Sequence, residues 1–467
     1  MNLIVMSTLI FIAIIRRKKC QQNLPVVITL ARKLLKNCAK FIDFIKNILS
    51  NENFIQRHKL TPSDFTRKRS LPFSHIIIFL LNLLRSSLQH ELDKFFQVIS
   101  QSDVPIRTVT ASAFCQARKK LKYSAFVELI HRIVYYFYRW FAWKRWHGFR
   151  LVAIDGSTVQ VPKNEQTERY FGAWHPAKSD QSCPMARVSQ MFDVLNHITI
   201  DSIMAPKSNG ERQLAAKHLA HVDRDDLVLI DRGYPAFWLF QLIVTKGAKF
   251  CARLPIDKWT TILSTFLASN RAEQVIDLKP NYLALKKCQQ LGLATTPITV
   301  RLIRIELDNG EMEVLITSLI DNERYPYEIF KDLYFKRWPI EELYKLMKSR
   351  IEIANFTGKS VQAIQQDFYA RVLMCNLTSI LAFPVHEQIA ENHVHSKLDY
   401  KINWTQALAK MKNSAILLFF RENIIPIIKE LLQSFTINIS AVRPGRKFIR
   451  KKSIQIKKYA FAYKPIS

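Results

Sequence analysis

Residues 151–162, LVAIDGSTVQVP, form an apolar, β-branched run interrupted by one carboxylate, Asp155, and resumed after Gly156 by Thr158, Val159 and Val161. Such a run reads as a strand. A carboxylate emerging from a buried strand is costly unless a cation or hydrogen bonds satisfy it. Residues 226–240, DLVLIDRGYPAFWLF, repeat the arrangement: an apolar run ends at Asp231, a glycine turn follows, and Pro235 opens a helical pattern. Taken singly, an Asp beside a Gly is an ordinary turn residue. Two of them, each at a buried run, ask for a shared positive partner.

A third carboxylate lies in YFKRWPIEELYKLMK, residues 334–348. On one continuous helix, Tyr334, Arg337, Glu341 and Lys348 fall within about 60° of one another. Leu333, Ile340, Leu343, Tyr344 and Met347 make a separate apolar stripe that holds the segment against a core. A carboxylate flanked by Arg and Lys suits a metal ion beside a phosphodiester, and also suits a plain solvated face. Pro339 cannot continue a regular helix without losing a hydrogen bond. Either the helix begins there or it is kinked.

The surrounding pattern gives the fold class. Strands are expected near 149–161, 187–195 and 197–205, then a helix near 210–222, the strand ending at Asp231, a helix near 235–246 and a strand near 249–255. Three hairpin-connected strands followed by alternation with helices is the order of an α/β, RNase H-like mixed sheet flanked by helices. Residues 299–320, TVRLIRIELDNGEMEVLITSLI, alternate on both sides of Asn309 and Gly310, a hairpin signal. Upstream, residues 73–99 read as one long periodic helix. The segment 109–140 holds a shorter helix capped by Thr110 or Ser112, which carries Arg118, Lys119, Lys120 and Lys122. That basic helix is either a DNA-contacting element or a solvated surface.

The order Asp155, Asp231, Glu341, with Tyr334, Arg337 and Lys348 spaced around the last, resembles the DDE transposases of bacterial insertion sequences, of the insertion sequence four type. SNGERQLAAKHL (208–219), VLITSL (314–319), NFTGKS (355–360), FTRKRSLPF (65–73), AFCQARKKL (113–121) and the tail from Arg443 carry the likeness further. The resemblance implies a β-rich insertion between Asp231 and Glu341, and nicking at terminal inverted repeats followed by strand transfer of a 3′ hydroxyl. It also implies a homodimeric synaptic complex on double-stranded DNA. The three carboxylates would be the catalytic and metal-binding residues, holding two Mg²⁺ (or Mn²⁺) about 4 Å apart. Tyr334, Arg337 and Lys348 would grip the DNA. An insertion aromatic receives a flipped base in relatives; Trp259, at the start of this insertion, is read as an ordinary exposed or core Trp. The rival functions are a metal-dependent nuclease that cuts without joining and a catalytically silent DNA-binding relic.

Composition agrees with a polyanionic partner: 69 Lys and Arg against 38 Asp and Glu give a net charge of +31. After Glu430 there is no acid, and Arg446, Lys447 and their neighbours interleave with Tyr459, Phe461 and Tyr463. This tail either binds DNA or is a solubilising extension. The seven cysteines (Cys20, Cys38, Cys115, Cys183, Cys251, Cys288 and Cys375) show no paired short spacing, as expected of reduced thiols in a cytoplasmic, nucleoid-associated prokaryotic protein. No glycine-rich phosphate loop is present, so no nucleotide cofactor is indicated. The apolar run at residues 2–15 is short of a bilayer span, and no membrane partner is expected. The domain reading is an unread extension at 1–50, a helical, DNA-binding domain at 51–146, a catalytic domain at 147–385 with its insertion at about 256–325, and a helical C-terminal region with a basic tail at 386–467.

Overall fold

The structure, a computed structural model, describes residues 24–174, 182–255, 257–307 and 310–443. The apolar run at 2–15, Asn309 of the expected hairpin turn, and the tail with Arg446 and Lys447 lie outside the described residues.

Helices come first: α1 (Leu24–Ser50), α2 (Glu52–His58), α3 (Phe73–Leu81), α4 (Leu88–Ser100), α5 (Ala111–Arg118) and α6 (Ser124–Trp140). The expected single helix over 73–99 is broken between α3 and α4. Ser87 caps α4, and the buried carboxylate of Glu91 accepts the backbone N–H groups of Arg85 (2.8 Å) and Ser86 (3.0 Å). The turn therefore satisfies donors that an uninterrupted helix would have used internally. Thr110 caps α5 as expected, its hydroxyl accepting from the Ala113 N–H at 3.2 Å.

The sheet then assembles from β1 (Arg150–Gln160), α7 (Glu165–Phe171), β2 (Ala173–Trp174), β3 (Cys183–Asp193), β4 (Ile198–Pro206), α8 (Glu211–His218) with the 3₁₀ turn Leu219–His221, β5 (Asp226–Ile230), α9 (Phe237–Thr245) and β6 (Lys249–Arg253). Across the sheet the order is β4-β3-β1-β5-β6: β3 runs antiparallel to β1 and β4, while β1, β5 and β6 are parallel. This is the mixed RNase H-like order. Every residue of β5 is buried, as a central strand covered on both faces should be. Helix α8 packs on β1 and β3, α6 on β4, and α9 on β6.

Between the second and third carboxylates come α10 (Thr260–Ala268), β7 (Glu273–Leu278), α11 (Tyr282–Gln290), β8 (Ile298–Glu306) and β9 (Met312–Thr317). The insertion is thus mixed rather than purely β. Its strands are not a separate sheet: β9 pairs antiparallel with β6, and β8 and β7 extend the same nine-stranded sheet outward. Trp259 packs partly buried at the head of α10, its ring 6.2 Å from that of Phe240.

The chain closes with α12 (Ile329–Phe335), α13 (Pro339–Ser349), α14 (Val361–Ala382), α15 (Val385–Asn392), β10 (Tyr400–Ile402), α16 (Trp404–Phe420), α17 (Ile425–Ile437) and β11 (Ile439–Ala441). Helix α14 is buried around its whole circumference from Ala363 to Ala382, packing on α6, β4, α3 and α16. Its buried polar groups are matched: Asn376 donates to the Thr199 carbonyl (2.7 Å) and accepts its N–H (2.8 Å), and the Tyr369 hydroxyl accepts from the Met204 N–H (3.1 Å). Among the described residues no single helix is long and apolar enough to cross a membrane. Val361–Ala382 with Val385–Asn392 passes by length and composition as a pair bent by 52°, but its first helix is the core helix just described.

Candidate active site

The parallel register of β1 and β5 ends at Ile154 opposite Ile230, so the next residue on each strand is a carboxylate: Asp155 beside Asp231. Adjacent strands lie about 4.8 Å apart, which forces two negative charges together at one sheet position. Asp155 feels it. Burial above all, with Asp231 and Glu341 adding, pushes its carboxyl up to about 6 against the opposing Gly156 N–H and Arg337. Asp231 goes the other way: although burial acts to raise it, the Arg232 N–H, Arg337 and Arg253 outweigh burial and hold it below the usual carboxylate range.

The 334–348 segment is two helices rather than one. Helix α12 ends at Phe335, and Pro339 is the first residue of α13, where its missing N–H costs nothing. The single-face geometry is therefore corrected: Tyr334 and Arg337 precede the helix of Glu341. The four side chains still converge, because the turn folds the first two back over the sheet end. The Tyr334 hydroxyl donates to Asp231 Oδ1 (3.2 Å), Arg337 Nη2 pairs with Glu341 Oε1 (2.6 Å), and Lys348 Nζ donates to Ser157 Oγ (2.5 Å), two residues beyond Asp155. Leu333, Ile340, Leu343, Tyr344 and Met347 are all buried, the apolar stripe expected of this segment. Tyr344 also locks α13 to β1 by donating to the Asp155 carbonyl (2.8 Å). Burial lowers the Lys348 ammonium, with Asp155 opposing.

Sequence reasoning missed several participants. Arg253, the last residue of β6, donates through Nε (3.0 Å) and Nη2 (2.8 Å) to Asp231 Oδ1 and pairs with Glu313. Its signal was the one that found Asp231, a charge ending an apolar strand. Glu211, at the start of α8, pairs with Arg187 (2.8 Å), and its carboxylate borders Gly156 and Gly233. A Cβ at Gly156 would meet the Tyr234 hydroxyl at 3.2 Å and the Glu211 Cγ at 3.4 Å, so any larger residue after Asp155 would have to push these side chains aside by a few tenths of an ångström.

Arg118 is corrected outright. It is buried, donating to Gln366 Oε1 (2.9 Å), Thr357 Oγ1 (2.8 Å), the Ala363 carbonyl (3.1 Å) and Asp367 Oδ1 (2.9 Å). Buried and bonded through four N–H groups to Thr357 and α14, it is not placed to grip a phosphate. Lys119, one residue on, is exposed.

The donor set fits a hard divalent cation. Three carboxylates face one cleft, an all-oxygen set; burial above all, with Asp231 and Glu341 adding, pushes Asp155 up, while the Tyr234 hydroxyl and Arg337 Nε, buried there without a hydrogen-bond partner among the described residues, are donors suited to an anion such as a phosphate beside the metal. Residues 146–377 match the family described as Transposase DDE domain. The chain belongs to the DDE transposase family. It is 24% identical over 315 residues to the transposase InsG of insertion sequence element IS4 from Escherichia coli K12, covering 67% of this chain and 70% of that protein. It is 29% identical over 124 residues to the putative transposase InsZ of the same organism, covering 26% of this chain and 40% of that one. A solved piggyBac transposase synaptic complex with hairpin DNA aligns over 87% of each chain at 8% identity and a TM-score of 0.43. A DDE transposase is a DNA-cleaving and DNA-joining enzyme that uses divalent metal.

Proposed function

We propose that this transposase nicks its element at the terminal inverted repeats and joins the freed 3′ ends to a target, with Asp155, Asp231 and Glu341 as the catalytic carboxylates holding two Mg²⁺ or Mn²⁺ ions. The observation that carries this reading is the β1/β5 register, which sets Asp155 beside Asp231, together with the turn that brings Glu341 to the same cleft. Bound there, the ions supply an activated water or 3′ hydroxyl and stabilise the leaving oxygen of an in-line displacement. The chain's own cations do the rest. Arg337 and Lys348 hold phosphate oxygens on either side of the scissile bond, Tyr334 donates to a third, and Arg253 keeps Asp231 ionised and oriented. Lys119 and the tail residues Arg446 and Lys447 contribute counterion-releasing contacts rather than base readout. Two copies pair the two ends. As working domain boundaries we take helical 51–146, catalytic 147–385 and C-terminal 386–467.

A duplex carrying the flanking inverted repeats, incubated with Mg²⁺, tests the reading. Nicks with joined products support it. Nicks alone make the protein a nuclease, and a gel shift alone a binder. Truncation after residue 442 should weaken inverted-repeat and random duplex alike and flatten the dependence of log affinity on log salt.

A further inference from the structure

Around Asp201 of β4, a second ligand cluster joins three elements that the chemistry above does not use. His131 on α6 reaches Asp201 Oδ1 on β4 through Nε2 at 3.0 Å, and His221, closing the 3₁₀ turn before β5, places its Nε2 3.8 Å from Asp201 Oδ2. The two imidazoles lie face to face at 4.6 Å with a tilt of 38°. One ligand atom from each of the three residues falls within 4.8 Å of the others. Around a tetrahedral Zn²⁺ with bonds of about 2.0–2.1 Å, neighbouring ligand atoms are about 3.4 Å apart, a spacing that rotation of the Asp201 carboxylate between its two contacts, 3.0 Å at Oδ1 and 3.8 Å at Oδ2, brings within reach.

The rest of the cluster is arranged as a metal site's surroundings are. Asp201 is buried. His218, fully buried, donates its Nδ1–H to Asp201 Oδ2 (2.7 Å) and has Ser189 Oγ at its Nε2 (2.9 Å), which fixes the carboxylate from behind. Two guanidiniums line the cavity beside the cluster: Arg150 is paired with Asp226 at 2.6 Å, and Arg145 faces Asp225 at 3.8 Å. A cavity of about 420 Å³, with His131, His221, Tyr135 and Asp223 on its wall, gives an ion an entry path and room for a water as fourth ligand.

We propose that His131, Asp201 and His221 form a Zn²⁺ site that clasps α6 to β4 and to the turn leading into the Asp231 strand. Two imidazoles and one carboxylate select zinc over magnesium, whereas the all-carboxylate cleft selects the harder ions. The two sites are therefore separable by metal as well as by place. Full-length protein stripped with a chelator and titrated with ZnCl₂ against a chromophoric competitor decides the matter, with Co²⁺ absorption as a report on coordination. Wild type and the Asp155→Ala/Asp231→Ala/Glu341→Ala variant should each take up one tight equivalent, gain thermal stability and show a Co²⁺ d–d band. The His131→Gln/His221→Gln variant should bind at least about tenfold more weakly and lose both signals. Circular dichroism and the metal-free Tm establish that it folds. If it does not, His221→Gln alone decides, since that side chain is about a third exposed and its contact with Asp201 is long. Equal zinc uptake by the histidine variant, or no uptake and no stabilisation of wild type, overturns the proposal and leaves a cluster held by hydrogen bonds only.

Discussion

Two clusters of buried charge in this fold are built in opposite ways. At Arg118 the guanidinium and the Asp367 carboxylate are both almost fully buried and well matched: Gln366, Thr357 and the Ala363 carbonyl take three further guanidinium hydrogens, and the Thr357 N–H reaches Asp367 at 2.6 Å. At Asp155 three carboxylates crowd one cleft, one is pushed up to about 6, and buried donors are left over. A saturated cluster holds two elements together. An unsaturated one is suited to binding something charged. Burial and charge alone do not separate the two, but the accounting of donors and acceptors does.

The largest effect expected from that contrast is on catalysis. Asp155→Ala, Asp231→Ala or Glu341→Ala should cut Mg²⁺-dependent nicking by at least about 10²–10³-fold, the loss typical when one transition-state-stabilising group is removed. End binding in Ca²⁺ should be largely kept, because basic contacts dominate affinity. Nicking near the wild-type rate in any one of the three would remove that residue from the catalytic set.

Arg118→Ala should do the converse. Stranding Asp367 without its cation costs about 3–5 kcal/mol, read as a fall in denaturation midpoint, while the folded fraction binds DNA as before. Arg118→Met with Asp367→Leu should recover much of the loss, since replacing both partners by apolar groups is often near neutral. A salt-sensitive drop in DNA affinity at unchanged stability would return Arg118 to the DNA surface.

How legible this was in the sequence follows from the same contrast. Asp155 and Asp231 stood out because each breaks an apolar strand pattern, and the sheet order followed from the spacing of those strands. Glu341 and its basic companions were found by helical periodicity although the periodicity fails at Pro339; the turn restores by tertiary folding what a continuous helix would have given. Arg118 misled because AFCQARKKL reads as a basic surface, and the groups that claim its guanidinium lie more than two hundred residues away, on and just before α14. The His131, Asp201 and His221 cluster was invisible for that reason too: one residue comes from the N-terminal helices, one from a strand and one from a turn. The β8/β9 hairpin of the insertion was read, but not β7, nor that β9 would dock on β6 and make one sheet.

A third buried carboxylate sits between the two extremes and sharpens the rule. Asp193 accepts from the Tyr138 hydroxyl (2.9 Å) and from Asn196 Nδ2 (2.8 Å), both neutral, while the nearby Arg150 is ion-paired elsewhere. Burial pushes its carboxyl up to about 6, against those hydrogen bonds and Arg150. The folded state therefore holds a proton that the unfolded chain releases near its ordinary value of about 3.9. Stability from this group is complete below that value and is lost as pH rises towards 6, by about 3 kcal/mol in all. Asp193→Asn should remove that slope, so the difference between the wild-type and variant stability curves should fall between pH 4 and 6 and be flat above. A flat difference throughout would mean that neutral donors suffice to keep a buried carboxylate at its ordinary strength.

The smallest effect is expected one residue from one of the largest. Glu342 follows Glu341 on α13, but a step of about 100° carries it away from Lys348, towards Lys401, with which it pairs at 2.9 Å; both side chains are more than 40% exposed. An exposed pair of that kind contributes at most about 1 kcal/mol. Glu342→Ala should leave nicking unchanged and shift stability by about 0.5 kcal/mol or less. Because α13 is regular from Pro339 to Ser349, a slip of one residue in its register would exchange the two glutamates. Loss of nicking in Glu342→Ala with retention in Glu341→Ala would put the wrong face of α13 against the cleft. It would also dissolve the contrast between a cluster that waits for a cation and one that has already found its own.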